Sequence, residues 1–197
     1  MRFAFKEWAI VVDALGSGQQ VLILRKGGVS EGRRGFQVEQ AEFFLFPTLF
    51  HQQRDSILPY WQNRFDELAP AWPDSTQVRL EFFGHVVSWR RLESLEAAQR
   101  LRGQHIWRDE VIAQRFEWTK DKNIHALAIR VFRLPAPIQF PTLPGYGGCK
   151  SWIDLEQDIT ADGAVPVLSK EAFNEKLNQF HGALDWDASL APRLPQS

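Results

Sequence analysis

The chain has 197 residues, 44% hydrophobic and 24% charged, an ordinary globular composition with length enough to bury a core without staples. A net charge of −1 excludes a uniformly basic or acidic chain, and the single cysteine, Cys149, excludes an internal disulfide and fits a reducing cytosol. No apolar run approaches the roughly 18 residues of a membrane span, and MRFAFKEWAIVV does not read as a signal peptide, so the expected location is the cytoplasm with no membrane partner.

Residues 4–15 are expected as a helix, because Phe5, Trp8, Val12 and Leu15 share one face and Gly16 ends it. QVLILRK, 20–26, reads as a buried strand, and KGGVSEGRRG as a flexible glycine-rich loop. FQVEQ begins a second strand and EFFLFPT, 42–48, a third that stops at Pro47. A helix is expected over 59–68, with Pro59 in its first turn, and a loop over APAWPDST. QVRLEFFGHVVSWRRL, 77–92, is a long strand with a bulge expected at Gly84. Ser94 caps SLEAAQRL, which Gly103 closes, and Asp109 caps the short helix EVIAQRFEW. HALAIRVFRLP, 125–135, is a strand ended by Pro135. The four prolines of PAPIQFPTLPGYGG predict irregular chain. CKSWIDL, 149–155, fits an edge strand, Ser169 opens the helix KEAFNEKLNQFHGAL, and APRLPQS is expected to be disordered.

The sum is an α+β fold: a curved, mostly antiparallel sheet or small barrel flanked by helices. Residues 1–156 form its body and 157–197 a helical extension with a tail. Charge is uneven. Residues 79–133 hold 11 Lys+Arg against 7 Asp+Glu, whereas 134–197 hold 4 against 8. A basic middle attracts phosphates; equally, interleaved arginines simply solvate helix faces.

Three places carry candidate chemistry. Lys26, Glu39, Glu42 and His51 combine carboxylates, a histidine and a lysine. This set suits Mg²⁺ or Mn²⁺ held by Glu39, Glu42 and His51, with Lys26 stabilising negative charge, provided a bulge near residues 40–41 brings both glutamates to one face. Ordinary surface pairs are the plainer account. GQHIWRDE, 103–110, sets His105 and Trp107 beside Arg108, a pattern for stacking and hydrogen-bonding a base, with Trp89 and Arg90 as further exposed contacts; Trp107 serves equally well as a core plug. GYGGCKSW, 145–152, could cradle an anion beside Lys150, and Cys149 would be a nucleophile only with a histidine close in space. Neither G-x-x-x-x-G-K-[ST] nor G-x-G-x-x-G is present.

FKEWAIVVDAL, VLILRKGG, EFFLFPTLFHQ, HIWRDEVIAQRFEW, ALAIRVFRLPAP and GYGGCKSWIDL, in this order, resemble an uncharacterised bacterial family, domain of unknown function eighteen-oh-two. The resemblance spans about residues 3–156 and implies a bacterial cytosolic protein, without an activity. The rhythm from VRLEFFGHVVSW to ALAIRVFRL is also similar to the small barrels of the pseudouridine-synthase and archaeosine-transglycosylase superfamily, which implies RNA or modified DNA bases as ligands. The expected function is a module that binds or processes DNA or RNA. The alternatives are a metal-dependent phosphodiesterase or nuclease, and a non-enzymatic protein-interaction domain docking through its acidic last helix.

Overall fold

The computed structural model describes residues 1–26, 36–49, 54–187, 194 and 195. Among the described residues seven strands form one sheet: β1 (Phe3–Trp8), β2 (Leu22–Arg25), β3 (Glu42–Thr48), β4 (Gln77–Leu92), β5 (Ile124–Pro141), β6 (Trp152–Asp154) and β7 (Val165–Pro166). Its order is β2-β5-β4-β3-β1-β6, with β7 added to β5. Among the described residues five α-helices flank it: α1 (Ala9–Gly16), α2 (Pro59–Leu68), α3 (Leu95–Gln99), α4 (Asp109–Glu117) and α5 (Lys170–Ala183). The fold is α+β, with a mixed, strongly curled half-barrel sheet. The curl is visible in one bond. Arg25 at the end of edge strand β2 donates from Nε to Ser151 Oγ at 2.8 Å, just before the opposite edge strand β6.

The unbroken apolar run of β3 follows from a sheet covered on both faces. Phe43 and Leu45 enter one hydrophobic cluster with α1, α4 and α5, while Phe44 and Phe46 enter a second, capped by Tyr146, Leu155 and Ile159. Phe43, Phe44 and Leu45 are all fully buried. Burying each such side chain contributes about 1.5–3 kcal/mol, so this strand is a main source of stability.

Four expectations change. Residues 3–8 are a strand rather than the start of a helix. Phe5, Trp8, Val12 and Leu15 do fall at helical spacing, but Ala4–Trp8 pair in parallel with Phe44–Thr48, and only Ala9–Gly16 is helical. Tertiary pairing decides where a short apolar segment satisfies either period. FQVEQ forms no strand. β5 runs through Pro135 and Pro137 to Pro141, because both inner prolines fall in a bulge where Phe82–Arg133 and Leu80–Ile138 pair on either side. Among the described residues no second strand adds to β5 on its other edge beyond Arg133, so a missing N–H there costs no ladder bond. The β4 irregularities lie at Leu80/Phe82 and Val86/Ser88 rather than at Gly84.

The stretch after 157 is docked on the body. Ser169 accepts from Ala172 N at 3.2 Å and starts α5. Phe180 and Leu184 are buried in the main cluster, and His181 Nε2 meets Ser88 Oγ at 2.9 Å. Of APRLPQS, where disorder was expected, all but Leu194 and Pro195 lie outside the described residues.

Candidate functional site

The curl brings four chain segments to one seam. β1 contributes Lys6 and Glu7, β2 ends at Arg25, α4 carries Arg115, and the turn before β6 supplies Lys150 and Ser151. Lys6 N donates to Ser151 O at 2.8 Å, which fixes β1 against that turn. Lys6 Nζ reaches Tyr146 O at 2.8 Å and Gly148 O at 2.9 Å. Gly148 has φ +80°, a conformation that glycine adopts without a side-chain penalty, and this turns its carbonyl toward the ammonium. Lys150 Nζ closes the same turn on Gly145 O at 2.8 Å.

These cations feel one another. Burial lowers the Lys6 pKa below the usual lysine value, and the Lys150 and Arg25 charges lower it further. Arg115 is half-buried, and desolvation pushes its pKa down to about 10; Glu7 opposes this and Arg25 adds to it. Arg115 lies 3.8 Å from the centroid of the Trp107 ring and donates to Leu24 O at 3.2 Å. Glu7 is 2% exposed and is the carboxylate that faces Arg115 electrostatically.

Donor capacity shows what the seam can do. An ammonium carries three N–H groups and a guanidinium five. Among the described residues Lys6, Arg25 and Lys150 hydrogen-bond only to carbonyls and a hydroxyl, Arg25 also lies 5.4 Å from the centroid of the Phe5 ring, and no carboxylate is within ion-pair distance. One N–H of Lys6, two of Lys150 and the outer nitrogens of Arg25 are left to donate. All three side chains are half-buried, so their charge is less screened than that of an exposed lysine. The arrangement suits an anion with several oxygens.

The residues singled out in the sequence mostly scatter. Lys150 stands in the seam. Lys26 follows Arg25, but its ammonium already donates to Phe116 O at 3.3 Å, Asp121 O at 2.6 Å and Asn123 O at 2.8 Å. Glu42 faces the neighbouring strand, its Oε1 3.1 Å from His85 Nδ1. Glu39 is exposed and precedes β3, outside any strand. His51 lies outside the described residues. Among the described residues no three His, Cys, Asp or Glu side chains are gathered closely enough to hold a metal ion.

The exposure expected of Trp107 is corrected: it is 2% exposed, packed 4.8 Å from Trp8, and serves as the core plug. His105 is buried too, accepts at Nδ1 from Trp107 N at 3.2 Å, and has its pKa pushed down to about 4 by desolvation. Arg108 pairs with Glu110 at 3.5 Å. Trp89 is half-buried and stacks on His125 at 5.6 Å, and Arg90 donates to Leu184 O at 2.7 Å, holding the end of α5.

Lys6, Glu7, Arg25, Arg115 and Ser151 were not singled out in the sequence. The signal was present in FKEW, LILRK, QRFEW and GGCKSW, four segments that already carried the family resemblance.

Fold and seam together define a curled α+β domain with a cationic joint between its sheet edges. The chain belongs to the family described as domain of unknown function (DUF1802), whose model matches residues 4–179 and so takes in most of α5. No curated protein matches the sequence. Among solved structures, ASCH from Zymomonas mobilis is similar over 97% of this chain and 96% of that one, at 13% identity and a TM-score of 0.44. Two mutant proteins of that ASCH give TM-scores of 0.42 and 0.40 at 13% and 15% identity, covering 89% and 96% of this chain and 94% and 98% of theirs.

Proposed function

We propose that this chain is a nucleic-acid-binding module that holds backbone phosphates at the seam. One observation carries the reading: Lys6, Arg25 and Lys150 converge, half-buried, with donors left over and, among the described residues, no carboxylate within ion-pair distance of them. Arg25 presents a planar fork suited to two phosphate oxygens, and the lysines act as point charges on either side. Contacts of this kind give affinity and register without sequence preference. A formal charge of −1 for the whole chain makes the interaction local, so it weakens steeply with salt.

Fluorescence anisotropy with labelled single-stranded and duplex DNA and RNA tests this directly. Binding at low salt that is lost on Lys6→Ala together with Lys150→Ala supports the reading. No binding to any of the four probes overturns it.

A further inference from the structure

The tryptophans expected to stack on bases are core residues, but a different one stands in the open. Trp118, at the end of α4, is 72% exposed, the most exposed large hydrophobic residue among the described residues. Tyr60 is next at 66%, yet its ring leans on Trp61 at 5.8 Å. Among the described residues no ring or cation rests on Trp118.

The turn that carries it is unusually well fastened. Lys26 Nζ donates to Phe116 O, Asp121 O and Asn123 O. Thr119 Oγ1 and Asn123 Nδ2 each donate to Asp121 O at 3.0 Å. Arg91 Nη2 holds both oxygens of the Asp121 carboxylate at 2.9 Å. Asp121 is neutralised by Arg91, and the exposed Lys120 and Lys122 follow Trp118 in the same turn, Lys122 lying 3.9 Å from Glu117. The anchor, Lys26, is the next residue after Arg25 of the seam, and Arg115 lies one helical turn before Trp118.

We infer that Trp118 is a stacking platform for an unpaired nucleobase, with the phosphates of the same strand running from Lys120 and Lys122 to the seam. An open indole on a fastened turn with exposed lysines close by in the chain fits a splayed base on a single strand, because every base offers a face to stack while a duplex keeps its faces covered. The preorganised turn loses little freedom on binding. This inference rests on the reading of the seam as a phosphate site.

The test is anisotropy of wild type, Trp118→Ala, Trp118→Phe and the Lys6→Ala/Lys150→Ala variant against a labelled single strand, its duplex, and the same strand with abasic positions, in DNA and RNA versions. Trp118→Ala is expected to weaken single-strand binding by roughly 5- to 150-fold, the range that about 1–3 kcal/mol per stacked base represents. Trp118→Phe should recover most of that loss, duplex affinity should not change, and the abasic strand should bind both wild type and Trp118→Ala equally weakly. The DNA and RNA arms decide which strand is preferred. If Trp118→Ala leaves single-strand affinity unchanged, or weakens duplex binding equally, the platform is overturned while the seam stands. If the lysine variant binds like wild type, the seam reading itself falls. A melting curve confirms that the exposed substitution leaves the fold intact.

Discussion

Two arginine- and lysine-bearing regions of this molecule look alike in the sequence and differ in the fold. The groove between α1, α2 and the start of β4 encloses about 370 Å³ and is lined by Arg64, Arg79 and Arg133. Each is answered by a carboxylate: Arg64 by Asp13 at 2.9 Å, Arg79 by Glu81 at 3.0 Å, and Arg133 by Glu81 at 3.7 Å. At the seam Lys6, Arg25 and Lys150 have carbonyl and hydroxyl partners instead. Positive residues therefore mark a binding surface only where their neighbours leave charge uncompensated. The basic middle of the chain illustrates this, since Arg91, Arg100, Arg102 and Arg108 pair with Asp121, Asp185, Asp109 and Glu110.

The largest expected effect concerns the opposed charges of buried Glu7 and half-buried Arg115. Arg115→Leu leaves Glu7 buried without its opposing charge and should cost about 3–5 kcal/mol in denaturant unfolding. Glu7→Gln added to it should return part of that loss. If Arg115→Leu alone is neutral, the pair is not what holds α4 to β1.

Acid comes next. Burial holds His105 and His125 neutral, with pKa values pushed down to about 4; Arg91 and Lys26 deepen the effect at His125, while Asp109 and Asp121 oppose it at His105 and His125 respectively. In the unfolded chain both titrate near about 6.5. Between those values only the unfolded chain takes up these protons. Stability should therefore fall as pH drops from about 6.5 to about 4, by up to about 3 kcal/mol per histidine, and level off below. Thermal melts across that range check the slope, and His125→Phe should flatten it by roughly half. A slope unchanged in that variant contradicts the assignment.

Binding separates the two regions most sharply. Lys6→Ala with Lys150→Ala should weaken nucleic-acid binding on the order of 10- to 100-fold, about 1.4–2.8 kcal/mol. Arg64→Ala in the groove removes an exposed ion pair and should cost about 0.2–1 kcal/mol in stability, with binding unaltered. If Arg64→Ala weakens binding as much as the lysine pair does, the contrast between groove and seam is wrong.

How much of this was legible in sequence follows from the physics of each element. β3 and β4 were, because EFFLF and QVRLEFFGHVVSWRRL leave no competing period over their length. So were the caps at Ser94 and Ser169, whose hydroxyls accept from the amide three residues on. β1 was not. Its apolar residues satisfy a helical period as well, and a helix over 4–15 puts Lys6 on a solvent face with nothing to meet. That single misassignment hid the seam, since Lys6, Arg25 and Lys150 lie far apart in the chain and meet only through pairing of β1 with β6 and closure of β2 onto the turn before it. Trp107 and Trp118 show the same limit: eleven residues apart, one is 2% and the other 72% exposed, and only packing distinguishes them.

The most direct test of the account is the salt dependence of nucleic-acid affinity in wild type and in the Lys6→Ala/Lys150→Ala variant. Each lost phosphate contact should reduce the slope of log K against log salt by about 0.7–0.9, so the variant's slope should be shallower by roughly 1.4–1.8. A slope identical in the two proteins would contradict the claim that the seam holds phosphate.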